Sequence, residues 1–249
     1  MVDVIFMGPD SRGVKLKISY SFDSTKDLSD LTNGERLLEI LLSNGLIIDK
    51  AGSQEPIREL FDINKLPEMW KGTGIEGRCS SCYFLFKGQK DIKFSGMVTW
   101  NLNLHPNSKA VNGIGLWLNI AKKHDINRLV RLGDDIFEWS KAEYGYITED
   151  SKLPTPLTVN IHEGLPGLMW VNYFGPSYIA EPEFHIPNDH VAINHGVRIT
   201  LAETPNDDSL RDSNFLENIK NTLGAEWFWD YPIKHKRKRP LFDKSEITR

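Results

Sequence analysis

Apolar residues recur at helical spacing in three stretches of the chain. The first opens at Thr32, where Thr32-Asn33-Gly34-Glu35 has the capping-box pattern: the Thr hydroxyl can accept from the Glu35 amide, and the Glu35 carboxylate can reach back. Leu37, Leu38, Leu41 and Leu42 then form an apolar face, and Asn44-Gly45 supplies a left-handed stop. The second runs from about Ile126 to Glu143, with Ile126, Leu129, Val130, Gly133, Ile136, Phe137 and Ser140 on one side. Arg128, Arg131, Asp134, Asp135, Glu138 and Lys141 fall elsewhere, so this helix is amphipathic and lies on something apolar. The third spans Asp208 to Leu223, with Phe215, Leu216, Ile219 and Leu223 facing inward and Gly224 closing it. A weaker helical pattern over Glu55–Trp70 is interrupted by Pro67.

Between these helices the pattern changes to period two or to short apolar runs. Val2–Met7, Val14–Phe22, Cys82–Lys87, Phe94–Leu104, Gly113–Asn119, Leu157–His162, Leu168–Tyr173 and Val191–Thr200 read as strands, bounded by Gly, Pro, Asn or Asp. Val14–Phe22 and Phe94–Leu104 alternate as half-buried strands do. Neighbouring strands without crossover helices imply antiparallel pairing, so the expected class is α+β: mostly antiparallel sheet with amphipathic helices packed on one face. No short-period repeat or low-complexity stretch is present. Loops at 45–55, 105–112 and 148–156 are too short to be flexible linkers. The expected organisation is one domain over residues 1–233, with any division into two α/β halves falling near residue 121, followed by a basic tail at 234–249.

Composition narrows the class. The 249 residues are 40% hydrophobic, 26% charged and 10% aromatic, which excludes disordered, collagen-like and coiled-coil chains. No apolar run reaches the roughly 18–20 residues that cross a bilayer, and MVDVIFMGPDSR lacks the basic start and apolar core of a secretory signal. Two cysteines make no disulfide framework. A soluble cytoplasmic protein with no membrane partner is expected. Charge is divided unevenly: of 30 basic and 34 acidic residues, seven basic and two acidic fall in 234–249. The body is left with 23 basic and 32 acidic residues, at −9 against +5 for the tail. An acidic body disfavours nucleic acid and steers basic partners toward it. Only the 234–239 run offers phosphates a contact, and as a solvated terminus it needs no function.

Motifs with known chemistry are sparse. Gly72-Thr73-Gly74-Ile75-Glu76-Gly77 matches G-x-G-x-x-G, but it follows a helical segment and leads into a strand, the inverse of a dinucleotide site. It reads as a turn. Cys79-Ser80-Ser81-Cys82 opens a strand rather than a helix and has no companion ligand pair, so two reduced cysteines are expected. His185, His190 and His195 recur every five residues, with Asp189 among them. Pro187 and the strand that follows argue against a helical zinc site. A metal-dependent hydrolase using His185, Asp189, His190 and His195 is the enzymatic alternative, against a polar loop of unrelated imidazoles. His162-Glu163 lacks a histidine four residues on, where Pro166 stands. No nucleophile elbow, P-loop or kinase motif occurs, and no carboxylate pair stands out. No cofactor is expected.

The most distinctive stretch is Leu165 to Tyr178, a Pro-Gly turn, a short strand and a Gly-Pro turn dense in aromatic residues. Trp170, Asn172 and Tyr173, with Tyr146 upstream, suit a binding hot spot, and the same rings suit a core. The order L-P-G-x-x-W-x-N-Y-F-G-P-x-Y (Leu165–Tyr178), G-V-R-I-T-L-A (Gly196–Ala202), an amphipathic helix and L-G-A-E-W-F-W-D (Leu223–Asp230) resembles bacterial polymorphic-toxin immunity proteins. The likeness is to the immunity protein 52 group and related type VI secretion immunity proteins, and Tyr144-Gly145-Tyr146 after a helix fits it. It covers about residues 126–230, and the first 120 residues fit only in outline. The resemblance implies a cytoplasmic α+β protein without catalytic activity that neutralises a cognate toxin, often a nuclease. An acidic body suits the basic surface of such a partner.

Overall fold

The computed structural model describes residues 15–71, 82–90, 92–100, 112–121, 125–153 and 164–230, with Lys238 and Pro240. The expected strands Val2–Met7 and Leu157–His162, the end of Phe94–Leu104, the glycine motif at 72–77 and Cys79 lie outside the described residues, as does most of the basic tail.

In chain order the elements are β1 (Lys15–Ser24), α1 (Leu31–Ser43), β2 (Lys50–Gly52), α2 (Leu66–Trp70), β3 (Cys82–Gly88), β4 (Lys93–Trp100), β5 (Asn112–Ala121), α3 (Ile126–Ser140) and β6 (Ala142–Glu149). There follow β7 (Val171–Phe174), α4 (Pro176–Ile179), β8 (Val191–Ile193), β9 (Gly196–Thr200) and α5 (Ser213–Leu223). The strands form one sheet in the order β2-β3-β4-β5-β1-β6-β7-β9-β8, and every adjacent pair is antiparallel. The fold is α+β. The first strand is the central one, hydrogen-bonded to β5 on one side and β6 on the other, so it joins the early and late parts of the chain.

Side chains alternate across a strand, so the register assigns each residue to a face. One face carries Leu16, Ile18, Tyr20 and Phe22 of β1, Ile114, Leu116, Leu118 and Ile120 of β5, Phe94, Val98 and Trp100 of β4, and Phe84 and Phe86 of β3. All are buried in the main core beneath α1, α2 and α3. The Trp70 ring stacks on Trp100 at 4.8 Å between centroids, and its indole N–H donates to the Leu28 carbonyl at 3.0 Å. A second, smaller core lies on the opposite face, confined to the β6-β7-β9 end. There Tyr144, Phe174, Val197 and Ile199 meet Tyr178 of α4, Phe184, Leu223 of α5, and Trp227.

Each predicted helix forms, with shifted ends. The cap of α1 is Asp30, whose carboxylate accepts from the Thr32 amide at 2.8 Å, and Thr32 lies inside the first turn. The buried positions are Asn33, Gly34, Leu37, Ile40 and Leu41, while Leu42 points outward. Gly45, at φ 68°, is the left-handed stop. In α3 the helix ends at Ser140, because Lys141 turns left-handed at φ 51° and Ala142 and Glu143 already belong to β6. The third helix splits into a 3₁₀ turn at Asp208–Arg211 and α5 proper, capped by Asp212. Over Glu55–Trp70 only Ile63–Lys65 and α2 are helical, and Pro67 sits in the first turn of α2, where a missing N–H costs nothing. Val191–Thr200 is a hairpin turning at Asn194-His195 rather than one strand.

Candidate binding surface

The aromatic candidates go inward. Trp170, Asn172 and Tyr173 are each at most 1% exposed. The Trp170 indole N–H donates to the Ala202 carbonyl at 2.9 Å. The Asn172 amide closes its own turn, accepting from the Met169 N–H at 2.9 Å and donating to the Met169 carbonyl at 2.8 Å. Tyr173 lies under α3, its hydroxyl donating to the Val130 carbonyl at 3.3 Å. Strand β7 is covered on both faces, so these three residues have no surface to offer a partner. Their density of rings builds the cores. Tyr146 is half-buried, on the opposite face from the main core.

The histidines do not converge. His185, Asp189 and His190 are exposed. The His190 ring contacts the Pro187 carbonyl at 2.7 Å, while His195 sits at the β8–β9 turn with its ring 5.5 Å from that of Phe137. Among the described residues, no group of three or more His, Cys, Asp or Glu side chains is placed to hold a metal ion. The metal-site alternative therefore lacks its geometry. Cys82 is a free thiol buried in β3. Lys238 of the basic run folds back, its ammonium pairing with Glu183 and with Glu226 at 2.8 Å.

A cleft of about 330 Å³ opens between α3 and β9, lined among others by Val130, Asp134, Trp170 and Arg198. Asp134 and Arg198 form a partly buried ion pair there. Burial raises the Asp134 carboxyl above the ordinary range, and the Arg198 guanidinium pulls it only part of the way back. The pair lines the cleft and ties α3 to β9.

A different surface emerges from the register. On the face of β3, β4, β5 and β1 turned away from the main core, no described helix packs. Three cross-strand rows run over it. The first is Tyr83, Thr99, Gly113, Asp23 and Tyr144; the second Leu85, Met97, Gly115, Ser21 and Tyr146; the third Lys87, Ser95, Trp117, Ser19 and Thr148. Lys50 extends the third row, and Lys93 and Lys17 follow it. Tyr83 is 38% exposed, and Met97, Trp117, Ser21, Asp23 and Tyr146 are half-buried.

Two glycines shape this face. The Trp117 ring lies over Gly115, where an added Cβ would come within 2.8 Å of it. Gly113, opposite Asp23, leaves the carboxylate without a neighbouring side chain on that strand. On the other side stands Tyr144, whose hydroxyl donates to the Gly167 carbonyl at 3.2 Å, with the Tyr146 ring 6.1 Å from its own. Burial pushes the Asp23 carboxyl up to about 7. The face thus has an aromatic and apolar middle, a lysine band at one end and the Asp23 carboxylate toward the other. The sequence reading found β1 and β5 but not this surface. The glycines alternating through Asn112-Gly113-Ile114-Gly115 were its visible sign, marking a strand with one face packed and no described helix on the other.

No protein-family model matches the chain, and no curated protein matches it in sequence. Among solved structures, a T6SS protein of Pseudomonas aeruginosa superposes with a TM-score of 0.52 at 10% identity, over 88% of this chain and 80% of that one. At that identity the likeness concerns the fold. Among the described residues, no helix is long and apolar enough to cross a membrane.

Proposed function

We propose that this chain is a non-enzymatic immunity protein of a type VI secretion system, acting in the cytoplasm by binding and neutralising a cognate toxin domain. The observation that carries the reading is the sheet face of Tyr83, Met97, Trp117 and Tyr146, which no described element covers. Large, stiff side chains that leave part of their apolar surface in water favour association with a second surface. Two findings support the more specific assignment: the likeness of residues 126–230 to immunity proteins, and a fold shared with a protein named for the T6SS. The body's charge of −9 suits a basic toxin surface and fast, steered association.

The test is co-expression with the product of the neighbouring gene. The reading expects that product to be toxic alone, harmless with this chain, and recovered with it in a stoichiometric complex. A neighbour that is not toxic and forms no complex defeats it.

A further inference from the structure

We infer that Asp23 is a docking point for a positively charged side chain, an arginine or lysine of the protein partner, held between the carboxylate and the half-buried Tyr146 ring. The inference rests on the functional reading above and deepens it by assigning a contact and its chemistry.

Four observations converge. First, Asp23 lies half-buried on the face that no described helix covers, and no hydrogen bond or ion pair reaches its carboxylate from any described residue. A buried charge without a partner is costly, and a cation from outside removes that cost. Second, Gly113 opposite it has no side chain, so this position of β5 sets none beside the carboxylate. Third, the surroundings suit a cation. Tyr144 and Tyr146 of β6 and Tyr178 of α4 all sense the Asp23 charge, and Tyr178 also senses Glu143. Tyr144 and Tyr178 are 1% exposed and closed to a partner, whereas the half-buried Tyr146 ring offers an electron-rich face of the kind that holds guanidinium and ammonium groups. Fourth, the described basic groups on the face stand away. Lys17 lies six residues along β1, about 20 Å at the usual strand rise, and is paired with Asp150 at 2.8 Å. That separation exceeds the screening length of about 8 Å at physiological salt. The Lys17 charge is therefore screened from Asp23.

The groups that face Asp23 from the elements packed around it are Tyr144, Tyr146 and Tyr178, with Glu143 beside Tyr178; the neighbouring positions of β5 and β4 in its row, Gly113 and Thr99, do not titrate. Burial places the Asp23 carboxyl near neutrality, so an incoming cation must displace its proton in part. Docking therefore tightens as pH rises through about 7 and releases protons when it occurs.

Two probes test this. In the first, the Asp23 carboxyl carbon is followed by NMR while the chain is titrated with N-acetyl-arginine amide, and with the neutral N-acetyl-citrulline amide as control. The expected result is a fall of the Asp23 midpoint by a pH unit or more with the arginine compound alone. No shift, or equal shifts with both compounds, overturns the inference. In the second, the product of the neighbouring gene is titrated calorimetrically in phosphate and in Tris at pH 7. Asp23→Asn is expected to weaken that complex at least tenfold and to abolish the buffer-dependent proton release, with Asp23→Ser as the second variant. Unchanged affinity and proton release in both variants overturn the inference while leaving the functional reading intact. If the wild-type chain forms no complex, the functional reading fails, and the arginine arm still decides the site.

Discussion

Gly34 and Trp70 are in direct contact: a Cβ placed on the glycine would stand 2.8 Å from two carbons of the indole. The ring has nowhere to go, since it is 1% exposed and wedged against Phe84 at 5.2 Å and Trp100 at 4.8 Å. The close approach of α1 to α2 is what lets Trp70 cap the main core. Gly34→Ala gains about 1 kcal/mol of helix propensity. Overpacking costs about 1–3 kcal/mol, which leaves a net loss of up to about 2 kcal/mol. Urea unfolding with the midpoint lowered at an unchanged slope is the expected result.

Trp170→Ala distinguishes packing from recognition. The ring is buried and hydrogen-bonded to Ala202, so the loss is expected to be global, about 3–5 kcal/mol. Thermal unfolding reads it directly. A variant that unfolds at the wild-type temperature contradicts the placement of this residue in the interior.

The partly buried Asp134–Arg198 pair gives an asymmetric prediction. Arg198→Ala leaves a half-buried carboxylate without its cation, at a cost of about 1–3 kcal/mol near pH 8. Burial already raises the Asp134 carboxyl, and loss of the guanidinium raises it further. A carboxyl raised on folding keeps a proton that the unfolded chain has given up, so stability falls as pH rises. The penalty is therefore smaller at pH 5 than at pH 8. Chemical denaturation at the two pH values checks the sign.

Asp23 leaves a similar mark on the whole protein. Its folded value of about 7 lies above the ordinary 3.8. Between these two values the folded state binds more protons than the unfolded, so stability declines from about pH 4 to pH 7 and levels off above. Asp23→Asn removes that decline. Since the side chain is partly in water, the gain at pH 8 is about 1–2 kcal/mol rather than the full linkage value. Melting temperatures of the two proteins should converge at pH 4 and separate at pH 8.

The helices were legible because each keeps one apolar stripe and one polar face, which periodicity detects without knowledge of what covers the stripe. Strand β6 was not. Ala142-Glu143-Tyr144-Gly145-Tyr146-Ile147-Thr148-Glu149 is buried on both faces over most of its length and follows α3 with only Lys141 between, so neither alternation nor a turn residue announces it. The same double burial explains why the sequence leaves Trp170 and Tyr173 open between a hot spot and a core. A stretch dense in rings resembles a binding surface in sequence, and only the layers above and below it show that it is core. The Asp23 face was hidden for the opposite reason. Its residues come from β1, β3, β4, β5 and β6, and no local pattern reveals that five strands align them.

The central claim is that this protein works by presenting the β3-β4-β5-β1 face to another protein. Tyr83, Met97 and Trp117 are reactive toward hydroxyl radicals when exposed, so oxidative footprinting reads that face residue by residue. With the neighbouring gene's product bound, the account predicts that oxidation of all three drops severalfold while that of exposed positions elsewhere is unchanged. Full reactivity of Tyr83, Met97 and Trp117 in the complex, with protection on another surface, would contradict it.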